Sequence, residues 1–393
     1  MSRILQNPIF RITLLAGSIL FLLGFGILGW GRGAPFGSQY DMRFLYIAGR
    51  LWLSRMNAYD SSLIDRVSEG LPETDRVYDF AYPPQISFLA MFLSLFTWER
   101  AKTVLTFLNL ISIGAIVYFC INFWRSSKVQ INEGLKWYVP VLIIGAPFSA
   151  ETIWLGQTSL IVSTFLLGSW YFYCRKRWLI SGLLLGISTI KPQFCILFFL
   201  WLLLERRWKI LGIATASSLA LCIVPLSIES PIALANSWFS ALDVYKLQPF
   251  NVLGWPGKIH LQNWVYLLTE FALPNLLLLA CILTVFLWKF RPQVQKEDVF
   301  GILTVFSLVL GFGNYYDLVM AYILIPLFWH HFHRNWQKII GLGLYSWIAI
   351  GNFIPRFFAF PRWVVLFLKV DMLLLLLSVF WLWYLSSREY EQT

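Results

Sequence analysis

Charge is what this sequence has least of. Only 13% of its 393 residues are Asp, Glu, Lys or Arg, while 58% are hydrophobic and the mean hydropathy is +0.66. A soluble domain of that length cannot bury so much apolar surface, so lipid is the solvent for most of the chain. Cysteine is scarce as well. Cys120, Cys174, Cys195, Cys222 and Cys281 all fall in or at the ends of apolar segments, and no C-x-x-C pair occurs. That argues against a disulfide framework and against a cysteine zinc site. There is also no D-x-D, which removes the usual sequence argument for a metal-bound nucleotide-sugar site. No internal repeat and no soluble domain interrupts the apolar text.

What is present fits a polytopic membrane protein. The 20 Trp and 17 Tyr suit the aromatic belts at the two membrane interfaces. The net charge of +11 comes from short basic clusters between apolar runs. Such clustering reflects cytoplasmic-loop bias rather than a phosphate-backbone footprint, so no nucleic-acid partner is expected. Arg3 and Arg11 precede an apolar run over 12–30 that is long for a cleavable signal and lacks an A-x-A site. It reads as an uncleaved first span.

About twenty helical residues, at ~1.5 Å each, cross the hydrocarbon core. That ruler predicts spans near 12–30, 101–123, 137–153, 157–174, 208–228, 266–289, 299–313, 316–330, 338–354 and 363–385. The apolar stretch between Arg177 and Glu205 is broken by "IKPQ" at 190–193 and flanked by "RKRW" at 175–178 and "ERRW" at 205–208. A single span would put one basic flank outside, so two short helices forming a hairpin are expected, with Lys191 and Pro192 at its tip. The sum is an all-α polytopic protein of about 12 membrane helices, one domain over 1–393, with both termini cytoplasmic. A long outer loop runs from about 31 to 100. Within it, 41–56 sets Arg43, Arg50 and Ser54 opposite Leu45, Ala48, Trp52 and Met56, the pattern of a helix lying in the membrane interface. A second juxtamembrane helix is expected over 81–96.

Three motifs have plainer readings than their patterns suggest. "GFGILG" at 24–29 satisfies G-x-G-x-x-G, but it sits inside an apolar span with no strand before it, so close helix packing explains the glycines. "GLLLG" at 182–186 reads the same way. "HHFH" at 330–333 ends a span and reads as an interfacial polar cap rather than a metal site. Asp41 is either a solvated interfacial acid or a functional carboxylate. Lys191, deep in a hairpin, either snorkels to the interface or serves a site, because burying it is expensive. Asp317 begins a span from the outer side, and Glu151 lies between two spans. Asp41, Glu151, Lys191, His260, Asp317, Arg356 and Arg362 thus converge on one membrane face. A transporter's ion path and an enzyme's interfacial site both fit such a cluster. The large first loop favours the enzyme, since transporters bind near the midplane between repeats.

The segments "YDMRFLYIAGRLWLSRMNAYD", "FAYPPQISFLAMFLSLF" and "WLGQTSLIVSTFLLGSWYFYCRKRWLISGLLLGISTIKPQFCILFFLWLLLERRW" together resemble glycosyltransferase family 87. The likeness runs in order from about residue 38 to 228, returns at "YYDLVMAYILIPL" (315–327) and is weak between 229 and 300. The resemblance implies a GT-C fold. It also implies an inverting transfer of a hexose, mannose by family habit, from a polyprenyl-phosphate donor to a lipid or glycan acceptor. The reaction would occur on the outer face of the bacterial cell membrane. The family aspartate just after the first span matches Asp41, although the family reads Asp-Phe where this chain has Asp41-Met42. Tyr59-Asp60, Tyr82-Pro83-Pro84, Gly156-Gln157, Lys191-Pro192 and Tyr316-Asp317 match too. The implied chemistry makes Asp41 the base that takes the acceptor's proton. Lys191, Arg356 and Arg362, with His260 weaker, would steady the leaving phosphate. Tyr82, Gln157, Glu151 and Asp317 would complete the substrate site, and no metal or other cofactor is called for. The competing reading is a non-catalytic transporter or flippase of lipid-linked sugars.

Overall fold

The computed structural model describes residues 7–30, 39–68, 71, 80–123, 133–248, 251–255, 257–290, 294–331, 335–351, 375–381 and 384. They are helical almost throughout. In lipid every backbone polar group must find its partner within the protein, and a helix achieves this within one segment. Helix α1 (Pro8–Phe21) opens with the Asn7 side chain capping Ile9 and continues as a wider π-helical stretch through Leu22–Ile27. The first outer loop supplies α2 (Met42–Leu53), α3 (Ser61–Ser68) and α4 (Ser87–Ser94). Next come α5 (Trp98–Asn122), α6 (Glu133–Ile144), α7 (Pro147–Leu155), α8 (Ser159–Cys174), α9 (Trp178–Ser188), α10 (Pro192–Leu204) and α11 (Trp208–Leu221). The chain goes on through α12 (Ile223–Ile228), α13 (Pro231–Lys246), α14 (Leu261–Thr269), α15 (Leu277–Lys289) and α16 (Lys296–Val309). A 3-10 helix over Tyr315–Ile323 leads into α17 (Leu324–His331) and α18 (Asn335–Gly351). Among the described residues the β content is one isolated bridge, Lys258 with Asn314.

The helices are shorter than the twenty-residue ruler predicts. Among the described residues, Pro8–Ile27 and Trp98–Asn122 are long and apolar enough to cross a membrane. A third candidate is the pair Lys136–Ile144 and Pro147–Leu155, bent by 45°. Pro147, at the first position of α7, has no N–H to continue the preceding helix, which explains the break. Other apolar helices, α8, α9, α10, α11 and α15 among them, have 10–17 residues. Turns at 175–177, 189–191 and 205–207 cut the apolar text at its charged residues.

Packing contacts fix the direction of these short helices. A Cβ on Gly182 would lie 2.8 Å from Ile210 O, and one on Gly186 would lie 2.6 Å from Ala214 O. Further along, the Thr189 and Ser218 hydroxyls are 3.0 Å apart. Residue numbers climb together, so α9 and α11 are parallel and α10 must return between them. The 175–177 and 205–207 turns therefore share one end of the bundle. There the Arg207 guanidinium lies 5.8 Å from the Tyr173 ring and the Lys296 amine 5.3 Å from the same ring. Arg175 stacks on Tyr171 at 3.5 Å and donates to Asn122 O at 2.9 Å. The rings of Trp170, Phe198 and Phe300, 5.1 to 5.8 Å apart, knit α8, α10 and α16 together above this basic end. The opposite end gathers the starts of α2, α8 and the 3-10 helix with the 189–191 tip.

One expectation for the first loop changes. The pattern over 41–56 predicts a helix half in the membrane interface, but α2 is an internal helix. Met42 through Ala48, Leu51 and Trp52 are all buried. Arg43, read as polar-face, is only 4% exposed, with its guanidinium near the rings of Tyr40 and Trp98. Side chains of the same loop cover the inner faces of α2, while Arg50 and Leu53 stay exposed. Tyr46 donates to Phe96 O at 2.8 Å, and Ser94 donates to Tyr46 O at 2.7 Å, clamping α4 against it.

Candidate active site

The site begins with how α7 stops. Gly156 ends it with φ +69°, a left-handed conformation that L side chains resist. A Cβ there would also meet Met42 Cβ at 2.8 Å. Glycine therefore allows the start of α2 to lie against the turn, where the Asp41 N–H donates to Leu155 O at 2.9 Å. Asp41 sits at the N-cap of α2, yet its own φ/ψ is helical and its carboxylate makes no cap bond. The carboxylate is free of its helix and meets Gln157 instead, accepting from Gln157 Nε2 at Oδ2.

Gln157 is 4% exposed, and its amide is held at both ends. Its Oε1 accepts from the Tyr82 hydroxyl at 2.8 Å and from Lys191 Nζ at 3.2 Å. Lys191 can only donate, so this atom is the amide oxygen and the N–H points at Asp41, with the Tyr82 hydroxyl free to donate to the same oxygen. The backbone carbonyl of Gln157 takes Asn109 Nδ2 at 3.2 Å.

Lys191 stands at the 189–191 tip, just before Pro192 opens α10. Its amine donates to Asp317 Oδ1 at 2.9 Å, Ser159 Oγ at 2.7 Å and Gln157 Oε1 at 3.2 Å. An ammonium has three N–H groups, and all three are used. The cation also lies 5.0 Å from the Tyr316 ring. Asp317 begins the 3-10 helix in a capping box with Asn314, whose N–H reaches Oδ2 at 2.9 Å, and its Oδ1 also accepts from Ser159 at 2.6 Å. Lys191 and Asp317 are 5% and 1% exposed, so this is a buried ion pair with every charged atom satisfied. Snorkelling does not describe Lys191.

Burial is the main influence on Asp41 and lifts its pKa from 3.8 to about 6. The Gln157 hydrogen bond and the Lys191 charge act against that rise, while the Glu151 and Asp317 charges add to it. Glu151 itself is buried on α7. Burial likewise raises Tyr82, which feels the charge of Asp41 and of Asp317. The structure gives His260 a capping role at the start of α14, with Nδ1 accepting from Asn263 N–H and the ring stacked on Phe312. Arg356 and Arg362 lie outside the described residues, as do His333 of "HHFH" and Asp79. His331 of that motif pairs with Asp298 at 2.9 Å near the basic end. Among the described residues no three His, Cys, Asp or Glu side chains form a group able to hold a metal, and all five cysteines are free.

Three contributors escaped the sequence reading. Ser159 bridges Lys191 and Asp317, and its only signal was its place two residues after Gln157. Tyr245, on α13, couples electrostatically to Asp41 and Asp317 and gave no signal in a stretch of weak likeness. Lys258 is a second buried amine, lowered by burial to about 8 and donating to Asn251 O. Its backbone pairs with Asn314, the residue that caps Asp317.

These features define a helical membrane protein with a charge-paired polar site at one end of its bundle. The chain belongs to glycosyltransferase family 87, a membrane GT-C family, whose sequence profile matches residues 80–313, more than half of the sequence. It is a glycosyltransferase by that membership. The matched stretch includes Tyr82, Glu151, Gln157, Ser159, Lys191 and His260; Asp41 lies before its start and Asp317 just past its end. No curated protein matches the chain.

Proposed function

We propose that this glycosyltransferase is an inverting enzyme that takes a hexose, mannose by family habit, from a polyprenyl phosphate. The sugar passes to a lipid or glycan acceptor at the outer face of the membrane, with Asp41 as the base. The observation that carries the reading is the Asp41 carboxylate itself. It is half-buried, unused by its own helix, held by one donated hydrogen bond and raised to about 6. A base near neutrality is ionised at working pH yet still takes a proton late in the reaction.

The step balances simply. The acceptor oxygen bonds to the anomeric carbon as the bond from that carbon to the phosphate oxygen breaks. The hydroxyl proton passes to Asp41, and the lipid phosphate leaves as a monoester. Cations near the leaving group steady its growing charge. Lys191 contributes through space, since a phosphate would have to displace one of its three partners to touch it. Arg356, Arg362 and His260 stand as the further phosphate candidates, and Tyr82, Glu151 and Asp317 line the substrate site. The topology that serves this reading has about twelve membrane segments with both termini cytoplasmic. The basic end, with Arg175, Arg207 and Lys296, then faces the cytoplasm by the positive-inside rule, and the Asp41 end faces outward.

A buried Lys–Asp pair in a helical bundle also suits a carrier of lipid-linked sugars. The experiment that separates the two uses purified protein in vesicles with a polyprenyl-phosphate hexose and candidate acceptors. Release of polyprenyl phosphate with a glycosylated acceptor supports the transferase. Movement of intact donor between leaflets, with no release, contradicts it.

A further inference from the structure

We propose that Gln157 is the positioning residue of the base, and that Tyr82 and Lys191 lock its amide so that its N–H faces Asp41. The inference rests on the reading of Asp41 as base and adds what keeps that base in its working state. An amide has two faces. With its N–H toward a carboxylate it favours the ionised form; with its oxygen there it favours the protonated acid. Gln157 in isolation would be free to turn. Here Tyr82 donates to Oε1 at 2.8 Å and Lys191 at 3.2 Å, so turning would set the Lys191 ammonium, which cannot accept, against an NH₂ group and cost the Tyr82 hydroxyl its present bond. Lys191 is in turn fixed by Asp317 and Ser159. A chain of hydrogen bonds thus runs from Asp317 to Asp41 through buried side chains on four segments.

The lock matters because the surroundings push Asp41 the other way. Burial, the Glu151 charge on α7 and the Asp317 charge on the 3-10 helix all favour the protonated acid. Tyr82 from the first loop and Tyr245 from α13 face the same carboxylate as neutral hydroxyls. Lys191 at the tip and Gln157 are the two groups that hold it ionised. The network therefore has a function distinct from packing: it sets the pH at which the base becomes available.

The test is the pH dependence of kcat/KM for glycosyl transfer by Gln157→Leu, Gln157→Asn and Tyr82→Phe. The wild-type acid limb is expected near 6. Gln157→Leu should move it upward by about one unit, the scale of a lost hydrogen bond to a carboxylate, and activity should recover at higher pH. Tyr82→Phe, which removes one lock without a cavity, should move the limb by a smaller amount in the same direction. It serves even where Gln157→Leu does not fold. Gln157→Asn should fall between wild type and Gln157→Leu. A uniform loss of kcat at every pH, with the limb unmoved in all folded variants, would show a structural role and overturn the proposal. Asp41→Asn run alongside keeps the two readings apart. If it turns over normally, the base assignment fails; if it is inactive while the limbs stay fixed, only the positioning role fails.

Discussion

Lys191→Met tests the structure where its energetics are most exposed. The substitution keeps the length of the side chain and removes its charge and its three donors. Asp317 would keep Ser159 and the Asn314 N–H but lose the cation 2.9 Å away, in a site where it is 1% exposed. Breaking a buried pair by removing one partner costs about 3–5 kcal/mol, because the remaining charge is left uncompensated. Gln157 would also lose a donor, adding about 1 kcal/mol. Replacing both charges by Lys191→Met with Asp317→Asn should recover much of that loss, since a buried pair contributes little net stability against neutral partners. Equilibrium unfolding in mixed detergent micelles of these two variants and of Asp317→Asn alone yields the coupling energy. A cost under about 1 kcal/mol for the single change, or no recovery in the double variant, would refute the buried pair.

Other outcomes follow from separate parts of the fold. Cysteines placed at 176 and 207 should both react with impermeant thiol reagent only from the cytoplasmic side, because the two turns share one end; labelling from opposite sides would break the α9–α10–α11 order. Gly156→Ala should destabilise by about 1–2 kcal/mol from the left-handed backbone alone. It should also lower turnover, since its Cβ would press on Met42 at 2.8 Å and move α2 away from Gln157. Normal turnover in that variant would show that the close approach does not set the site. Asp41 also gives stability a distinctive pH sign. Its folded pKa, about 6, lies above its ordinary 3.8, so the native state binds the extra proton and this group's contribution weakens as pH rises through that interval. Thermal midpoints of wild type and Asp41→Asn should therefore diverge in favour of the variant between pH 4 and pH 7; midpoints that stay parallel would contradict the shift.

The charged members of the site were legible because charge is costly near lipid. Lys191 and Asp317 each stood out inside apolar text, and family likeness marked Asp41, Gln157 and Tyr82. Their pairing was not legible. Asp317 lies 126 residues from Lys191, and only the return of α10 beside α9 and α11 brings them within reach. Ser159 and Tyr245 are ordinary residues whose roles come entirely from where the chain folds. The helix pattern over 41–56 misled for a physical reason. An arginine can end in water, in headgroups or against aromatic rings, and periodicity does not tell these apart; here Arg43 meets Tyr40 and Trp98. Span lengths were overestimated because the ruler assumes each helix runs unbroken, whereas a new helix starts at Pro147 inside 137–153, one ends at Leu221 inside 208–228 and one begins only at Leu277 inside 266–289.

The measurement that bears most directly on the central claim is the turnover of Asp41→Asn with purified polyprenyl-phosphate hexose and an acceptor. Asparagine keeps the size and the contact with Gln157 but cannot take a proton, so kcat should fall about 100-fold or more, the usual scale for a lost general base. Donor binding should change little, and the exposed Asp60→Asn in the same loop should keep most of its activity. Asp41→Asn turning over at the wild-type rate would contradict the account and send the search for the base to Glu151 or Asp317.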